Sequence, residues 1–518
     1  MFLFIIKANA TYAQNGELPN IIFILADDLG YGDIQTLNPA SSIPTPNINL
    51  LANEGLSFSN AHSTSSVCTP SRYSFLTGQY SWRSRMKKGV CWIYDPPLIE
   101  KEQITIGEML SNQGYKTACI GKWHLGWNWP TNDGLPAAKN NGMNVNYSEP
   151  IDDGPISRGF DYYFGQDTPS LPPHVLIEND QVVTPPIDWL SGPGGMPGHM
   201  SPGWKYENLM HTLSEKAVNY IRDQVKNDPM TPFFLYYSMS APHTPIAPHH
   251  DFKNKTEIGP YGDFVFEMDY HVGRIINTVD SLGIGDKTII IFTSDNGGIN
   301  EDGINYTGVV GSLINHGHNS NGMLRGIKSD AWEGGHRIPF IVRWPNQIRS
   351  NTTSHALISQ VDMMATFAAI SGTTLPEEAG EDSFNLLPIF NDPSHQGVRD
   401  ALVTQSGNGV LAIQKGDWKL ILSSGGGGSW SHPKGELPTK VEKKGNFEWE
   451  NIQLYNLKND KAEIQNLASN QKDKVDELMR LLKNYIVTGR SKAPLHKSGE
   501  ENIELWEEVK WVDQISEN

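Results

Sequence analysis

The chain repeats one pattern that few folds can accommodate: a short apolar run that stops on a charged or hydrogen-bonding side chain. Asn20-Ile21-Ile22-Phe23-Ile24-Leu25-Ala26 runs straight into Asp27-Asp28. Lys116-Thr117-Ala118-Cys119-Ile120 empties into Gly121-Lys122-Trp123-His124, and Phe233-Phe234-Leu235-Tyr236-Tyr237-Ser238 leads to Pro242-His243. Thr288-Ile289-Ile290-Ile291-Phe292-Thr293 ends in Asp295-Asn296. A continuous run of this length predicts a strand buried on both faces, because a strand wetted on one side would alternate. Between the runs the period becomes helical, at Leu213, Ala217, Tyr220, Ile221 and Val225 and again at Met268, Val272, Ile275, Ile276, Val279 and Leu282. Shorter helices are predicted through Leu50 and Leu51 up to Gly55, and over residues 106–111. Alternating helices and buried strands predict an α/β fold: a large, mostly parallel mixed sheet sandwiched by helices.

In open α/β sheets, ligands bind beyond the carboxyl ends of the strands. Asp27, Asp28, Lys122, His124, His243, Asp295 and Asn296 all occupy such ends, so they are expected to meet in space. Taken singly, Asp27-Asp28 reads equally as turn carboxylates, and Asp295-Asn296-Gly297-Gly298 as a tight turn. Together, carboxylates at two buried strand ends would repel without a cation between them. Asp27, Asp28, Asp295 and Asn296 offer oxygen donors only, which suits a hard divalent ion. Calcium, tolerant of mixed carboxylate and amide ligands, fits better than the stricter magnesium.

The formal net charge is -17 and no dense Lys/Arg cluster stands out, which argues against a nucleic-acid partner, since such partners need a basic face. Hydrophobic residues make up 38% of the chain, and no apolar run approaches the length of a membrane span. An acidic protein repels a polyanionic substrate at long range, so its capture falls to local cations.

Cys68 lies in Ser66-Val67-Cys68-Thr69-Pro70-Ser71-Arg72-Tyr73-Ser74-Phe75-Leu76-Thr77-Gly78-Gln79. Pro70 suits a first helical turn and Gly78 a helix end, so a short helix is predicted from near Pro70, with Cys68 at its positive pole. An isolated Cys-x-Pro-x-Arg is as readily a buried thiol beside a turn. The longer stretch, closing in Leu76-Thr77-Gly78, resembles the sulfatase signature. Asp27-Asp28-Leu29-Gly30, Gly121-Lys122-Trp123-His124-Leu125-Gly126, Ser294-Asp295-Asn296-Gly297 and Leu324-Arg325-Gly326-Ile327-Lys328 are similar to arylsulfatase-family segments in the same order. Leu454-Tyr455-Asn456-Leu457 with Asn466-Leu467 resembles the family's closing segment.

The resemblance is to the formylglycine-dependent, type I sulfatases of the alkaline-phosphatase superfamily. It implies that Cys68 is oxidised to formylglycine (3-oxoalanine) by a formylglycine-generating enzyme. The hydrated aldehyde is then the nucleophile and, with Asp27, Asp28, Asp295 and Asn296, a ligand of one calcium ion. Arg72, Lys122 and Lys328 would neutralise the sulfuryl group. His243 would protonate the leaving alcohol, and His124 would take a proton from the remaining hydroxyl to expel sulfate. With Cys68 consumed, Cys91 and Cys119 are left to pair or to stay free. The implied activity is hydrolysis of a sulfate ester, with a sulfated carbohydrate as the expected substrate. The rival readings are a phosphonate monoester or phosphodiester hydrolase of the same superfamily, and a non-catalytic glycan-binding protein on this scaffold.

From about residue 127 to 202 the sequence turns to Gly, Pro, Asn and Trp, as in loops that build a binding face. Trp127, His174, His199 and Trp204 in that stretch, with His318 before the Lys328 motif, are the candidates for contacting substrate. Residues 18–395 are expected to form the catalytic domain and 396–496 a smaller C-terminal α+β subdomain. That subdomain is read from short strands at 409–413 and 418–422, Leu454-Tyr455-Asn456-Leu457, and a helix through Val475, Leu478, Met479, Leu482 and Ile486. Residues 497–518 read as a polar tail. Residues 1–14, with Phe2-Leu3-Phe4-Ile5-Ile6 and small Ala8, Ala10 and Ala13, read as the remnant of a secretory signal and predict an exported, periplasmic or secreted protein.

Overall fold

The computed structural model describes residues 17–139, 141–191, 195–302, 311–428, 452–492 and 505–514; the expected signal remnant lies outside them. Strand β1 (Asn20–Asp27) runs through the middle of the fold. Ile21, Phe23 and Leu25 enter one core, and Ile22, Ile24 and Ala26 the other, which is why the run is apolar throughout. Each fully buried Ile, Leu or Phe contributes about 1.5–3 kcal/mol.

β2 (Leu56–Phe58), β3 (Lys116–Lys122), β4 (Tyr162–Gln166), β5 (Ile177–Glu178), β6 (Gln181–Val182), β7 (Phe233–Pro242), β8 (Thr288–Ser294), β9 (Phe340–Arg343) and β10 (Thr352–Ser354) complete a 10-stranded sheet. Its order is β10-β2-β9-β8-β1-β7-β3-β4-β5-β6. The neighbours β8, β1, β7, β3 and β4 are parallel, whereas β9 and β5 join them antiparallel. The helices are α1 (Pro46–Asn53), α2 (Cys68–Thr77), α3 (Ile106–Asn112), α4 (Leu209–Asn227), α5 (Pro260–Ser281) and α6 (Met363–Ser371). α1, α4 and α5 cover the Ile22 face, and α2, α3 and α6 cover the Phe23 face.

A second, antiparallel 4-stranded sheet follows: β11 (Leu402–Gln405), β12 (Leu411–Lys415), β13 (Trp418–Ile421) and β14 (Gln453–Asn456). Helix α7 (Lys472–Val487) packs on it through Val475, Leu478, Met479, Leu482 and Ile486, in a core that also takes in Tyr80 and Trp82 just beyond α2.

The structure departs from the sequence reading in three places. The Gly- and Pro-rich stretch is not loop alone, because β4, β5 and β6 in it extend the main sheet. Helix α2 starts at Cys68 rather than near Pro70, which the first turn accommodates, and Gly78 ends it in the left-handed region (φ 66°). The described part of the expected polar tail forms 3-10 turns over Glu507–Gln514. Val509, Trp511 and Val512 are buried there against the second core, and Trp506 packs on Trp82, so apolar burial orders a segment whose composition reads as polar.

Candidate active site

Five adjacent parallel strands deliver functional groups to one end of the sheet. In spatial order they are β8 with Asp295 and Asn296, β1 with Asp27 and Asp28, β7 with His243, β3 with Lys122 and His124, and β4 with Asp167. Cys68 reaches the same place from the first turn of α2. Asp28 joins these elements. Its Oδ1 accepts from Asn296 Nδ2 at 2.8 Å and lies 3.8 Å from Cys68 Sγ. Its Oδ2 accepts from Lys328 Nζ at 2.7 Å and lies 3.8 Å from His243 Nε2. Asp28 adopts the left-handed conformation (φ 65°), as does His124 (φ 55°). Such backbone costs non-glycine residues roughly 1–3 kcal/mol and persists where the surroundings enforce it. Here the Asp28 N–H donates to Asp295 Oδ1 at 3.1 Å.

Asp27, Asp28 and Asp295 each have a protein cation. Lys122 Nζ donates to both oxygens of Asp27, at 2.9 and 2.8 Å. Arg72 holds Asp295 Oδ2 through Nε (3.0 Å) and Nη2 (2.7 Å), and its Nη2 lies 3.2 Å from Asp27 Oδ1. Burial opposes ionisation of Asp27, but Lys122, Arg72 and Lys328 outweigh it and hold the carboxyl below its usual range. Asp295 is pushed up, by burial and by Asp27 beside it. Burial also lowers Lys328's affinity for its proton, yet Asp28 more than restores it, so the ammonium is retained.

Burial pushes the Cys68 thiol up to about 12 despite Lys122 and Lys328 nearby. A thiol held there is a poor nucleophile near neutral pH. His243 falls to about 3, through burial and then the charge of Lys328; its Nδ1–H donates to the Thr244 carbonyl at 2.5 Å. His124 is held well below its ordinary value by burial, Lys122 and Arg72. Its Nε2 donates to the Cys91 carbonyl at 3.0 Å, leaving a buried Nδ1 without a hydrogen-bond partner.

The donor set fits a hard cation. Asp27, Asp28, Cys68 and His243 present ligand atoms within 4.8 Å of one another. The Oδ1 of Asn296 is buried without a hydrogen-bond partner at the same place, and an unpaired amide oxygen among three carboxylates is an environment for an oxygen-seeking ion.

The second sheet braces the site. Ser66 N donates to Gln405 O of β11 at 2.9 Å, Ser329 N to Ser66 O at 2.6 Å, and Gly407 N to Ser329 O at 2.8 Å. The turns carrying Cys68 and Lys328 are thereby fixed to each other and to β11.

Several expected roles change. Arg72 is fully buried, and Nη1 is taken by Ser238 Oγ (2.5 Å) and Lys122 O (3.3 Å), so it positions carboxylates instead of meeting a sulfuryl group. Trp127 is buried against Trp123, Trp129 and Tyr163, with Nε1 donating to Asp167 Oδ1 at 3.0 Å; it offers no stacking face to a sugar. Both ring nitrogens of buried His174 are engaged, by the Met196 carbonyl (2.9 Å) and Tyr206 Oη (3.0 Å). His318 Nε2 is bound to Asp33 Oδ1 at 2.7 Å, where Asp33 also accepts from Gly30 N and Tyr261 Oη. His199 is half-buried between Tyr147 and Trp189. Trp204, also half-buried, lines a separate surface cavity with Ser201 and Lys205. Cys91 and Cys119 are free thiols.

Sequence reading missed Asp167. It follows β4 directly and accepts from His124 N (3.1 Å) and Trp127 Nε1 (3.0 Å), and burial raises its carboxyl to about 6. The strand-end rule finds it once β4 is recognised.

The sulfatase family model matches residues 19–373. The N-acetylgalactosamine-6-O-sulfatase of Bacteroides thetaiotaomicron is 36% identical over 515 residues, covering 92% of this chain and 94% of that protein. Human arylsulfatase A is 32% identical, covering 77% of this chain and 74% of that one. A solved structure from work on glycosaminoglycan metabolism by Bacteroides thetaiotaomicron superposes with a TM-score of 0.75 at 33% identity, covering 90% of this chain and 99% of that one. Fold, strand-end site and relatives agree: the chain belongs to the sulfatase family of the alkaline-phosphatase superfamily. It is a sulfuric ester hydrolase.

Proposed function

We propose that the protein hydrolyses sulfate esters of carbohydrates, through formylglycine made from Cys68 and with a calcium ion held by Asp27, Asp28, Asp295, Asn296 and residue 68. The observation that carries this reading is the setting of Cys68: a thiol too basic to act as thiolate, on a helix N-terminus, against Asp28 and among lysines. N-acetylgalactosamine 6-sulfate is the first sugar to test, because relatives from Bacteroides thetaiotaomicron and from human bear that activity in their names.

Hydrated formylglycine supplies an oxygen nucleophile for sulfur. A calcium ion bound there would supply the positive charge that lowers the pKa of that hydroxyl and draws charge from a sulfate oxygen. The chain's own residues do the rest. Lys122 and Lys328 neutralise charge on the transferring group, a kind of preorganised stabilisation worth about 10²–10³-fold per donor. His243 has its Nδ1–H tied to Thr244, so Nε2 is the nitrogen that carries a proton to the leaving oxygen. Burial and then the charge of Lys328 keep His243 deprotonated, and an anion seated against Lys328 offsets the second of these. His124, neutral and with Nδ1 bare, accepts the proton from the residual hydroxyl as sulfate departs. Arg72 keeps Asp27 and Asp295 in register throughout.

The test is sulfate release, by ion chromatography, from N-acetylgalactosamine 6-sulfate, other sulfated sugars and an aryl sulfate. The protein is co-expressed with a formylglycine-generating enzyme, and Cys68→Ala and chelated samples run beside it. Loss in both controls supports the reading. No release from any substrate, with conversion of Cys68 verified by peptide mass, sinks it and turns attention to phosphonate and phosphodiester substrates.

A further inference from the structure

Three elements bring histidines together away from the carboxylates of the active site. His211 lies in the first turn of α4, Glu267 and His271 share one face of α5 four residues apart, and His249 lies in the connection from β7 to α5. The rings of His211 and His249 are 5.9 Å apart and those of His211 and His271 6.2 Å. His249 N donates to Glu267 Oε2 at 2.8 Å. His271 and Glu267 are both fully buried, at 0% exposure. Even so, neither ring nitrogen of His271 has a hydrogen-bond partner, nor does Glu267 Oε1, which stands 3.5 Å from His271 Nε2.

A buried polar atom without a partner costs about 1–3 kcal/mol. An imidazole with both nitrogens bare, facing a carboxylate oxygen also bare, therefore calls for something to bind. A core histidine bonded to the glutamate one turn away is the ordinary alternative, and at 3.5 Å His271 Nε2 and Glu267 Oε1 stand too far apart for a good hydrogen bond. The set also opens outward, since His211 is exposed and His249 half-buried. Nδ1 of His249 is taken up by Asp251, whose Oδ2 lies at 3.2 Å and whose N–H donates to it at 3.4 Å, which orients the ring and leaves Nε2 for a ligand. Two imidazoles on one tetrahedral ion, with metal–nitrogen bonds of about 2.0–2.1 Å, place their ring centres roughly 5 Å apart. The observed separations, 5.9 and 6.2 Å, are longer than that, so the side chains must rotate inward for their ligand atoms to reach one ion. Three imidazoles and one carboxylate suit borderline ions and not calcium.

We propose that His211, His249, Glu267 and His271 form a second metal site, which binds one divalent transition-metal ion of the zinc type. The ion ties α4 and α5 to the segment that begins with His243, and so serves as a brace. This site is independent of the sulfuryl-transfer reading and stands or falls without it.

Tag-free, full-length protein stripped of transition metals and kept in calcium-containing buffer is titrated with zinc, and separately with cobalt(II), whose visible absorption reports tetrahedral nitrogen and oxygen ligation. One equivalent is expected to bind, to raise the thermal midpoint, and to bind at least about tenfold more weakly in His271→Ala and in His211→Ala. His211 is exposed, so His211→Ala and His249→Ala decide the matter even if His271→Ala fails to fold. Zinc affinity and cobalt spectrum unchanged in these variants, or no binding by the wild-type chain, overturns the proposal.

Discussion

Among the described residues, two buried ionic clusters have nearly the same ingredients, and only one of the two has the marks of a site. At the strand ends, Asp27, Asp28 and Asp295 meet Lys122, Lys328 and Arg72, with His243 and His124 alongside. Beneath the second sheet, Glu333 and Glu463 meet Lys419 and Arg337, with His336 and His62 alongside. Lys419 Nζ lies 2.9 Å from Glu333 Oε1, 2.9 Å from Glu463 Oε1 and 3.0 Å from His336 Nε2. Arg337 Nη1 takes Glu333 Oε2 at 2.7 Å, and His62 Nδ1 faces His336 Nδ1 at 3.0 Å. His62, Glu333 and His336 would pass as a metal triad by spacing alone. The ammonium of Lys419, on β13, contacts Glu333 and His336 of that triad, so a cation from the second sheet does the work of an ion. Burial opposes the Glu333 charge, but Lys419 and His62 overcome it and hold the group well below its usual range. This cluster joins the two sheets. The strand-end cluster instead leaves Asn296 Oδ1 and His124 Nδ1 without a hydrogen bond, whereas Glu463 Oε1, likewise unbonded beneath the second sheet, is answered by Lys419 Nζ at 2.9 Å. The distinction lies in polar atoms left over, not in the count of charges.

Removing one cation from each cluster should therefore have opposite outcomes. Lys419→Met strands two buried carboxylates and is expected to cost about 3–5 kcal/mol of stability in denaturant unfolding, with activity per folded molecule retained. A Lys419→Met protein as stable as wild type would break the comparison. Lys328→Ala is expected to lower kcat/KM by about 10²–10³-fold, roughly 2.7–4 kcal/mol, with little change in folding once calcium is present. Chelation should likewise abolish turnover reversibly and leave the Lys419 joint untouched, so the stability difference between Lys419→Met and wild type should be the same with and without calcium.

Asp167 sharpens the comparison at smaller scale, since it is a carboxylate of the site with no cation of its own in hydrogen-bond contact. Its folded pKa, about 6, stands above the ordinary 3.8. The folded state thus holds this proton more tightly than the unfolded chain, and stability is lost as pH rises through that window. The loss is on the order of 3 kcal/mol at most. Both donors to Asp167 use Oδ1, which an amide oxygen can replace. Asp167→Asn should therefore gain stability over wild type progressively between about pH 4 and 6 in thermal melts; a constant difference would refute the assignment. Smallest of all, His318→Gln should cost about 1–2 kcal/mol, by weakening the tie to Asp33, and should change KM little.

What was legible in the sequence follows from burial. β1, β3, β7 and β8 are covered on both faces, so their runs are apolar and the residues that end them stand out: Asp27, Lys122, His243 and Asp295. β4 is equally part of the sheet, but its Tyr162-Tyr163-Phe164-Gly165-Gln166 sits amid glycines, prolines and tryptophans, with no run to mark it. Asp167 was hidden with it. Lys419 was unreadable for another reason, because a lysine in an alternating strand looks solvated until its partner layer is known. His174, with both ring nitrogens bonded, and His318, tied to Asp33, show the same limit, since a histidine held by its neighbours and one poised for chemistry have the same letter.

Helix α2 has no solvent face. All ten of its residues, Cys68 to Thr77, are buried, walled by β1, α3 and α6. A modifying enzyme must enclose the peptide it oxidises, and no such peptide is offered by the finished fold. On the proposed chemistry, the oxidation of Cys68 is an event in the history of the chain, competing with the closure of the sheet around it. On that same chemistry a molecule that folds first keeps its thiol, so the active fraction of a preparation becomes a record of which process ran faster during synthesis.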